Sequence, residues 1–280
     1  MADIRKDSFA AKFVIYFILC IFAVLAIYPI LWLLLQSFKS TQEYITTNKF
    51  GFPKKWVFLN YTIAWKQGQF SVLIFNSIFY TSVTVIFVIL LSFMQGFAFG
   101  KLPNKTTRLL HGVYIVGILL TIQSIMVPLF LLINMVGLYN TRLGILISYI
   151  GISMPMGVYL STEYIKNIPE SLVESARIDC AKYFKIFTSI ILPMAVPVAV
   201  TVSLFTFTNA WNEFMFINIL TSKDSLRSIP VGINRFSGMN MIDYGKQFAA
   251  LVIGLFPMLV FYLVFRKQIT KGVVAGAVKG

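Results

Sequence analysis

Charged side chains are scarce in this sequence. They make up 12% of its 280 residues, against 58% hydrophobic and 16% aromatic. That is about half the charge of a typical soluble domain, which excludes an ordinary water-soluble fold and points to a membrane chain. Cysteine is nearly missing too: Cys20 lies inside the first apolar run and Cys180 in a polar loop. The two are not placed to meet, and neither has a zinc-ligand spacing, so no disulfide and no metal site is implied. The one histidine, His111, stands at the inner mouth of the third run, a place for interfacial packing more than for proton relay. A phosphate-cradling Gly-x-x-x-x-Gly-Lys-Ser/Thr loop is absent as well. Its nearest approach, "GFAFGKL" at 96–102, has three residues between its glycines and no hydroxyl side chain. It reads as helix packing followed by an inner-surface lysine, so any ATP must be bound by another chain.

What the sequence has instead is six long stretches without charge, at 13–38, 67–100, 109–141, 143–162, 186–212 and 247–265. Each reaches the roughly 20 residues that cross a hydrocarbon core as a helix. Continuous apolar runs, rather than ten-residue alternating ones, argue for helices over a barrel, because in lipid the backbone must satisfy its own hydrogen bonds. The expected fold is therefore all-α and polytopic, with six transmembrane helices. The first run follows Arg5, Lys6 and Lys12, but it is too long for a signal-peptide core and has no small-residue cleavage site, so it reads as a retained span.

Six spans put both termini on one side, and a modest majority of Lys and Arg falls on that side, which places both termini in the cytoplasm. The formal net charge of +14 is scattered beside span ends rather than gathered in a stripe. This favours anionic lipid headgroups and weighs against nucleic acid. Two outer segments, about 39–66 and 221–246, carry turn punctuation ("FGFPKKW", "SIPVG", "RFSGMN") and are too short to be domains, so 1–280 reads as one membrane domain.

The anomaly is the inner loop at about 163–185, which puts five charged side chains into "ESARIDCAKYFKIFTSIILP". A helix there starts at Pro169, where a first-turn proline loses only an amide that would be unpaired anyway. Alternatively it starts two residues later, with Ser171-x-x-Glu174 as a capping box. Glu174–Arg177 and Asp179–Lys182 are spaced for pairs worth a few tenths of a kcal/mol each. The apolar face is small, with Ser175, Ala176 and Ala181 and no large anchor until Tyr183 and Phe184, which suits close protein contact better than lipid. Joined to the fifth span by "FTSIILP", a short helix could carry displacement from a partner into the membrane.

These residues resemble the cytoplasmic loop of ABC importer permeases, in which Glu-Ala-Ala, two free positions, Asp-Gly-Ala and later Phe, Ile and Leu-Pro recur in order. Glu174, Ala176, Asp179, Ala181, Phe187, Ile190, Leu192 and Pro193 match, while Ser175 and Cys180 depart, the latter from a glycine. If the backbone at 180 needs a positive φ, that departure costs on the order of 1 kcal/mol. "FPKKWVFLNY", "NSIFYTS", "NAWNEF", "SIPVGINRFSG" and "ITKGVVAGAVKG" extend the resemblance from about residue 50 to the end, toward the second permease of carbohydrate importers.

The resemblance implies a heteromeric sugar importer in a bacterial-type plasma membrane. This chain would pair with a second, homologous permease, two ATP-binding subunits carrying ATP and Mg would dock below, and an extracellular solute-binding protein would deliver sugar. The 163–185 loop would hold the coupling helix, with Glu174, Ser175, Ala176, Asp179, Cys180, Ala181 and Pro193 as its ATPase-coupling residues. Arg235, Phe236, Ser237 and Gly238 would face the binding protein. The chain itself would catalyse nothing and bind no metal or cofactor.

Sugars are neutral and rich in hydroxyls, so a path for them needs amides and aromatic faces rather than fixed charge. Asn76, Tyr80, Gln95, Gln123, Asn134, Asn209, Trp211 and Asn212 are the candidates within the spans. Each has a structural alternative in helix–helix hydrogen bonding or, for Trp211, in an interfacial aromatic belt. No acidic or basic residue is expected deep in a span, which weighs against an ATP-independent, ion-coupled carrier.

Overall fold

The computed structural model describes residues 9–234 and 243–277, with side chains from 12 to 234 and from 243 to 267. Among these residues every regular element is helical, as expected. The long helices are α1 (Phe9–Gln36), α3 (Phe70–Lys101), α6 (Arg142–Lys166) and α13 (Tyr244–Ala277), and each is long and apolar enough to cross a membrane. Shorter helices fill the rest: α2 (Leu59–Gln67), α4 (Lys105–Leu119), α5 (Ile122–Met135), α7 (Glu170–Ile178), α8 (Tyr183–Ile186), α9 (Leu192–Met194), α10 (Val196–Asn212), α11 (Met215–Leu220) and α12 (Ile229–Ile233).

Two of the six expected spans are not straight. The run at 109–141 is divided between α4 and α5, bent by 113°, and the run at 186–212 between α8–α9 and α10, bent by 75°. Counting each bent pair as one span restores six. The second break has a clear cause in sequence. Phe187–Ile191 is a π-helical turn, and Pro193 and Pro197 flank Ala195, where neither proline can donate an amide to the helical ladder. At the first break Leu120 and Thr121 adopt extended backbone and Thr121 makes no side-chain cap.

Contacts divide the chain into two compact units, Phe70–Gly232 with Met258–Gly280, and Met1–Gln69 with Ile233–Pro257. In the larger unit the most extensive helix pairing is α3 against α6, and small residues make it possible. A Cβ at Gly96 would lie 2.6 Å from Ser161 Oγ, and one at Gly100 would lie 3.2 Å from the Lys166 amide. The Ser161 hydroxyl donates to the Ser92 carbonyl at 2.7 Å. Glycines four apart with a helix-bridging hydroxyl are how helices associate where lipid supplies no hydrophobic drive. One core cluster lies toward the α7 end (Phe93, Phe97, Ile165, Val173, Ile186, Phe187) and another toward the opposite end (Tyr80, Ile145, Tyr149, Phe216, Ile217, Leu220).

In the smaller unit Phe38 packs on Trp56, Phe58 and Tyr61 with ring centroids 5.2 Å apart in each case. Asn60 donates to the Ser37 and Lys39 carbonyls at 2.9 and 2.8 Å, and the buried Lys39 ammonium donates to Asn48 O at 2.7 Å. Burial holds the Lys39 pKa below its ordinary value, with Glu43 opposing the shift. Asp243 accepts from the Thr41 hydroxyl at 2.8 Å and from the Lys246 ammonium at 2.7 Å, tying the start of α13 to the segment after α1.

Candidate functional site

Helix α7 begins at Glu170, directly after Pro169, so the proline-led start is the one adopted. The Ser171–Glu174 capping box does not form; Ser171 instead accepts at its carbonyl from the Ser175 hydroxyl at 2.8 Å. The two expected side-chain ion pairs do not form either. Arg177 turns to Tyr183, its guanidinium 5.1 Å over the ring, and Glu174 and Asp179 are exposed.

The end of the helix explains the position that departs from glycine. Cys180 N donates to Arg177 O at 2.9 Å and Ala181 N donates to Ala176 O at 2.9 Å. Together these are the paired bonds of a Schellman cap, whose turning residue needs a left-handed backbone. Cys180 has φ +55°, so the cap is built in spite of its side chain.

Which face of α7 points where corrects one expectation. Val173 and Ala176 are 1% and 9% exposed and pack into the chain's own core with Ile165, Ile168, Ile186 and Phe187. Ala176, expected to give close fit to a partner, is therefore spent on seating the helix, and Ala181 is half-buried beside it. The side chains left outward are larger: Ile178 at 82%, Phe184 at 77%, Tyr183 at 53% and Leu172 at 39% exposure. Pro193 is exposed at the kink that follows.

A residue outside the expected set anchors the same loop. Lys101, the last residue of α3, has a side chain only 2% exposed. Its ammonium donates to the carbonyls of Ile168 (2.5 Å) and Lys166 (3.4 Å) and to Glu170 Oε2 (3.1 Å). Sequence reading placed this lysine at the inner surface. Its burial could be anticipated only from the glycine pair before it, which brings α3 close to α6.

At the opposite end, Asn76 and Tyr80 do structural work. Asn76 is fully buried and donates to the carbonyls of Ser225 and Arg227 at 2.8 and 2.9 Å, while the Tyr80 hydroxyl donates to Leu226 O at 3.0 Å. Arg142 donates to Asn76 Oδ1 at 3.2 Å and lies over the rings of Phe75 and Phe79. Asn140, at φ +59°, gathers the amides of Ser222 and Lys223 and the Thr221 hydroxyl on its Oδ1. The 221–229 segment is thereby fastened to α3 and to the start of α6.

A cavity of about 480 Å³ opens between the start of α5, the middle of α6 and the junction of α10 with α11. Gln123, Asn209 and Asn212 line it, joined by Ser153, Thr208 and the rings of Tyr149 and Phe214. Three of the eight expected path residues thus come together. Trp211 is buried and stacks on Phe207 instead, Gln95 is half-buried in α3, and Asn134 is exposed outside this cavity. Glu213, which sequence reading passed over, also lines the cavity. Its carboxylate accepts from the amides of Phe216 and Ile217 at 2.7 and 3.1 Å, capping α11. Arg235, Phe236, Ser237 and Gly238 lie outside the described residues. No cluster of metal-ligating side chains occurs among the described residues.

Comparison with known proteins places these features in context. The family described as "Binding-protein-dependent transport system inner membrane component" matches residues 8–269. The chain is 31% identical to the diacetylchitobiose uptake system permease protein of Streptomyces coelicolor, over 92% of this chain and 86% of that one. It is 30% identical to the trehalose/maltose transport system permease protein of Thermococcus litoralis, over 92% and 93%. The fold matches a chain from the crystal structure of a bacterial ABC transporter involved in the import of the acidic polysaccharide alginate. There the TM-score is 0.80 at 23% identity, covering 93% of this chain and 98% of the other.

Proposed function

This chain belongs to the binding-protein-dependent transport system inner membrane components, and we propose that it is the second permease of an ATP-driven importer for an oligosaccharide. It is a transport subunit, not an enzyme. In this reading it pairs with one homologous permease, two separate chains bind ATP and Mg and hydrolyse the nucleotide, and both termini lie in the cytoplasm. A solute-binding protein meets the opposite face, where Arg235, Phe236, Ser237 and Gly238 belong to its contact. Substrate moves by alternating access, outward-facing while ATP holds the partner subunits together and inward-facing after hydrolysis.

The observation that carries the proposal is the outward apolar surface of the 170–186 segment. Helix α7, firmly seated by Val173 and Ala176 yet presenting Ile178 to the outside, together with the exposed Phe184 of α8 just after it, has the form of a handle for a partner. Glu174, Ser175 and Asp179 supply the polar rim of that contact. The cavity supports the substrate class, since amides and hydroxyls at Gln123, Ser153, Thr208, Asn209 and Asn212 beside aromatic rings suit a neutral, hydroxyl-rich solute, and the one carboxylate in the lining, Glu213, is engaged by the amides of Phe216 and Ile217. Relatives named for chitobiose and for trehalose/maltose uptake point the same way.

The test is to tag the chain in its native host, solubilise it gently, identify what stays bound by mass spectrometry, and assay ATP hydrolysis on the same sample. A second permease and an ATP-binding subunit are expected. A stable homo-oligomer with no ATPase would overturn the importer reading in favour of a carrier working without ATP.

A further inference from the structure

We propose that Lys101 is a positioning residue for energy coupling: it locks the start of α7 to the end of α3, so that α3, α6 and α7 move as one lever. This rests on the permease reading, in which a partner ATPase displaces α7.

The geometry assigns the role. An ammonium has three donors, and Lys101 directs them at three acceptors within five residues of chain, Lys166 O, Ile168 O and Glu170 Oε2. Lys166 O is the last carbonyl of α6, a helix end where carbonyls have no helical partners and the dipole favours a cation, and Ile168 O follows it in the turn. The carboxylate lies in the first turn of α7, where the dipole favours an anion. One buried charge thus complements the end of one helix and, through Glu170, the start of the next.

The lock matters because of what it spans. Only residues 167–169 join α6 to α7. Ile168, Val173 and Ala176 seat the turn and α7 by apolar contact, which leaves the angle between the helices to directional bonds such as those of Lys101. Lys101 reaches the turn from α3, some 65 residues earlier in the chain, and just above it Gly96 and Gly100 hold α3 against α6 at backbone distance. An ammonium with a 2% exposed side chain cannot exchange its partners for water without opening this packing. The turn is therefore fixed for as long as the helices are packed. Glu170, 53% exposed, is the tunable arm of the lock.

The experiment uses the complete complex in proteoliposomes, with sugar uptake and ATP hydrolysis measured on the same vesicles. Lys101→Met, which keeps the length and removes the donors, is expected to retain bound ATPase and basal hydrolysis, while sugar moved per ATP falls by roughly tenfold or more. Lys101→Arg is expected to restore much of the ratio, and Glu170→Gln to lower it less than Lys101→Met does. A wild-type ratio in Lys101→Met would overturn the proposal and leave the permease reading standing. An equal loss in the Met and Arg variants would also overturn it, by tying the position to size rather than to donors.

If Lys101→Met does not assemble, a second measurement on the unmutated lysine decides. Spin labels at Pro103 and Ser171, both exposed, with Cys20→Ser and Cys180→Gly in the background, report the separation across the lock. The same separation with and without ATP is expected, and a nucleotide-dependent change would overturn the proposal. Absence of any ATPase from the wild-type complex is a different outcome and counts against the permease reading itself.

Discussion

The outward apolar side chains of the coupling segment lead to a quantitative expectation. Ile178 is 82% exposed in the isolated chain, although the neighbouring apolar residues Val173 and Ala176 are buried. If a partner ATPase covers Ile178, that contact removes nearly a whole isoleucine side chain from water, worth roughly 1.5–3 kcal/mol. Ile178→Asp forfeits this and brings a carboxylate into the contact, so the ATPase should bind the permease about 10- to 100-fold more weakly. The same reasoning applies to Phe184→Asp, at 77% exposure. The assay is titration of purified ATP-binding subunit onto permease in nanodiscs, followed by fluorescence anisotropy, with thermal unfolding of the permease as control. Neither substitution disturbs the core, so the unfolding midpoint should hold. Ala176→Trp is the contrast: its site is inside the core, so it should lower the midpoint as well as uptake. Wild-type affinity in both aspartate variants would refute the docking surface, and a loss in Phe184→Asp only when lipid is varied would assign that ring to the membrane.

Cys180→Gly should stabilise the Schellman cap by up to about 1 kcal/mol, the relief of a left-handed non-glycine residue less the entropy glycine gains when unfolded; Cys180→Val should destabilise it, and hydrogen exchange across 176–181 measures both. Gly96→Ala should cost roughly 1–3 kcal/mol, because its Cβ would sit 3.0 Å from the Ser161 backbone carbon, whereas Gly112→Ala in α4 meets nothing within 4 Å and should be neutral or gain up to about 1 kcal/mol, both read from unfolding in detergent. Asp243→Ala should lower stability by about 1–2 kcal/mol through loss of the Thr41 and Lys246 contacts at the start of α13. Burial pushes the Asp243 carboxyl up, but the Lys246 and Thr41 bonds outweigh it and hold its pKa below the ordinary 3.8. The advantage of wild type over Asp243→Ala should therefore be complete above about pH 4 and fade as the pH falls through the depressed pKa; an unchanged difference at low pH would refute the pairing.

Most of the architecture was legible because apolar runs uninterrupted by charge are a strong signal in a membrane chain. The bends were not, since composition cannot distinguish one long helix from two that meet at Thr121, although Pro193 and Pro197 marked the second break. For the coupling loop, the order of Glu174, Asp179 and Ala181 located the helix, and the missing glycine located the turn at Cys180. The orientation of its faces was not legible. Ala176 looked available to a partner because alanine at helical spacing is silent about which side is covered, and its partners, Ile165 and Ile186 among them, lie on other elements. The path residues divided for a similar reason. Asparagine can serve backbone or solute equally well, and only the fold reveals that Asn76 is committed to the 225–227 carbonyls while Asn209 and Asn212 face a cavity.

The distribution of stiff and yielding segments bears on how such a chain transmits force. On one side of α7, the turn at 167–169 is braced by Lys101 and by the close α3–α6 packing. On the other, the chain passes through the π-helical Phe187–Ile191 and two prolines before α10 begins. A π-turn followed by two prolines has fewer helical hydrogen bonds to break than the α3–α6 interface has contacts to lose. A displacement of α7 should therefore move α3 and α6 with it and be taken up by a change of angle at Ala195. That junction leads through α10 to Asn209, Asn212 and Glu213, three of the side chains that line the cavity. Stiffness on the incoming side and a break on the outgoing side turn a push at the handle into a change of shape where the solute would sit.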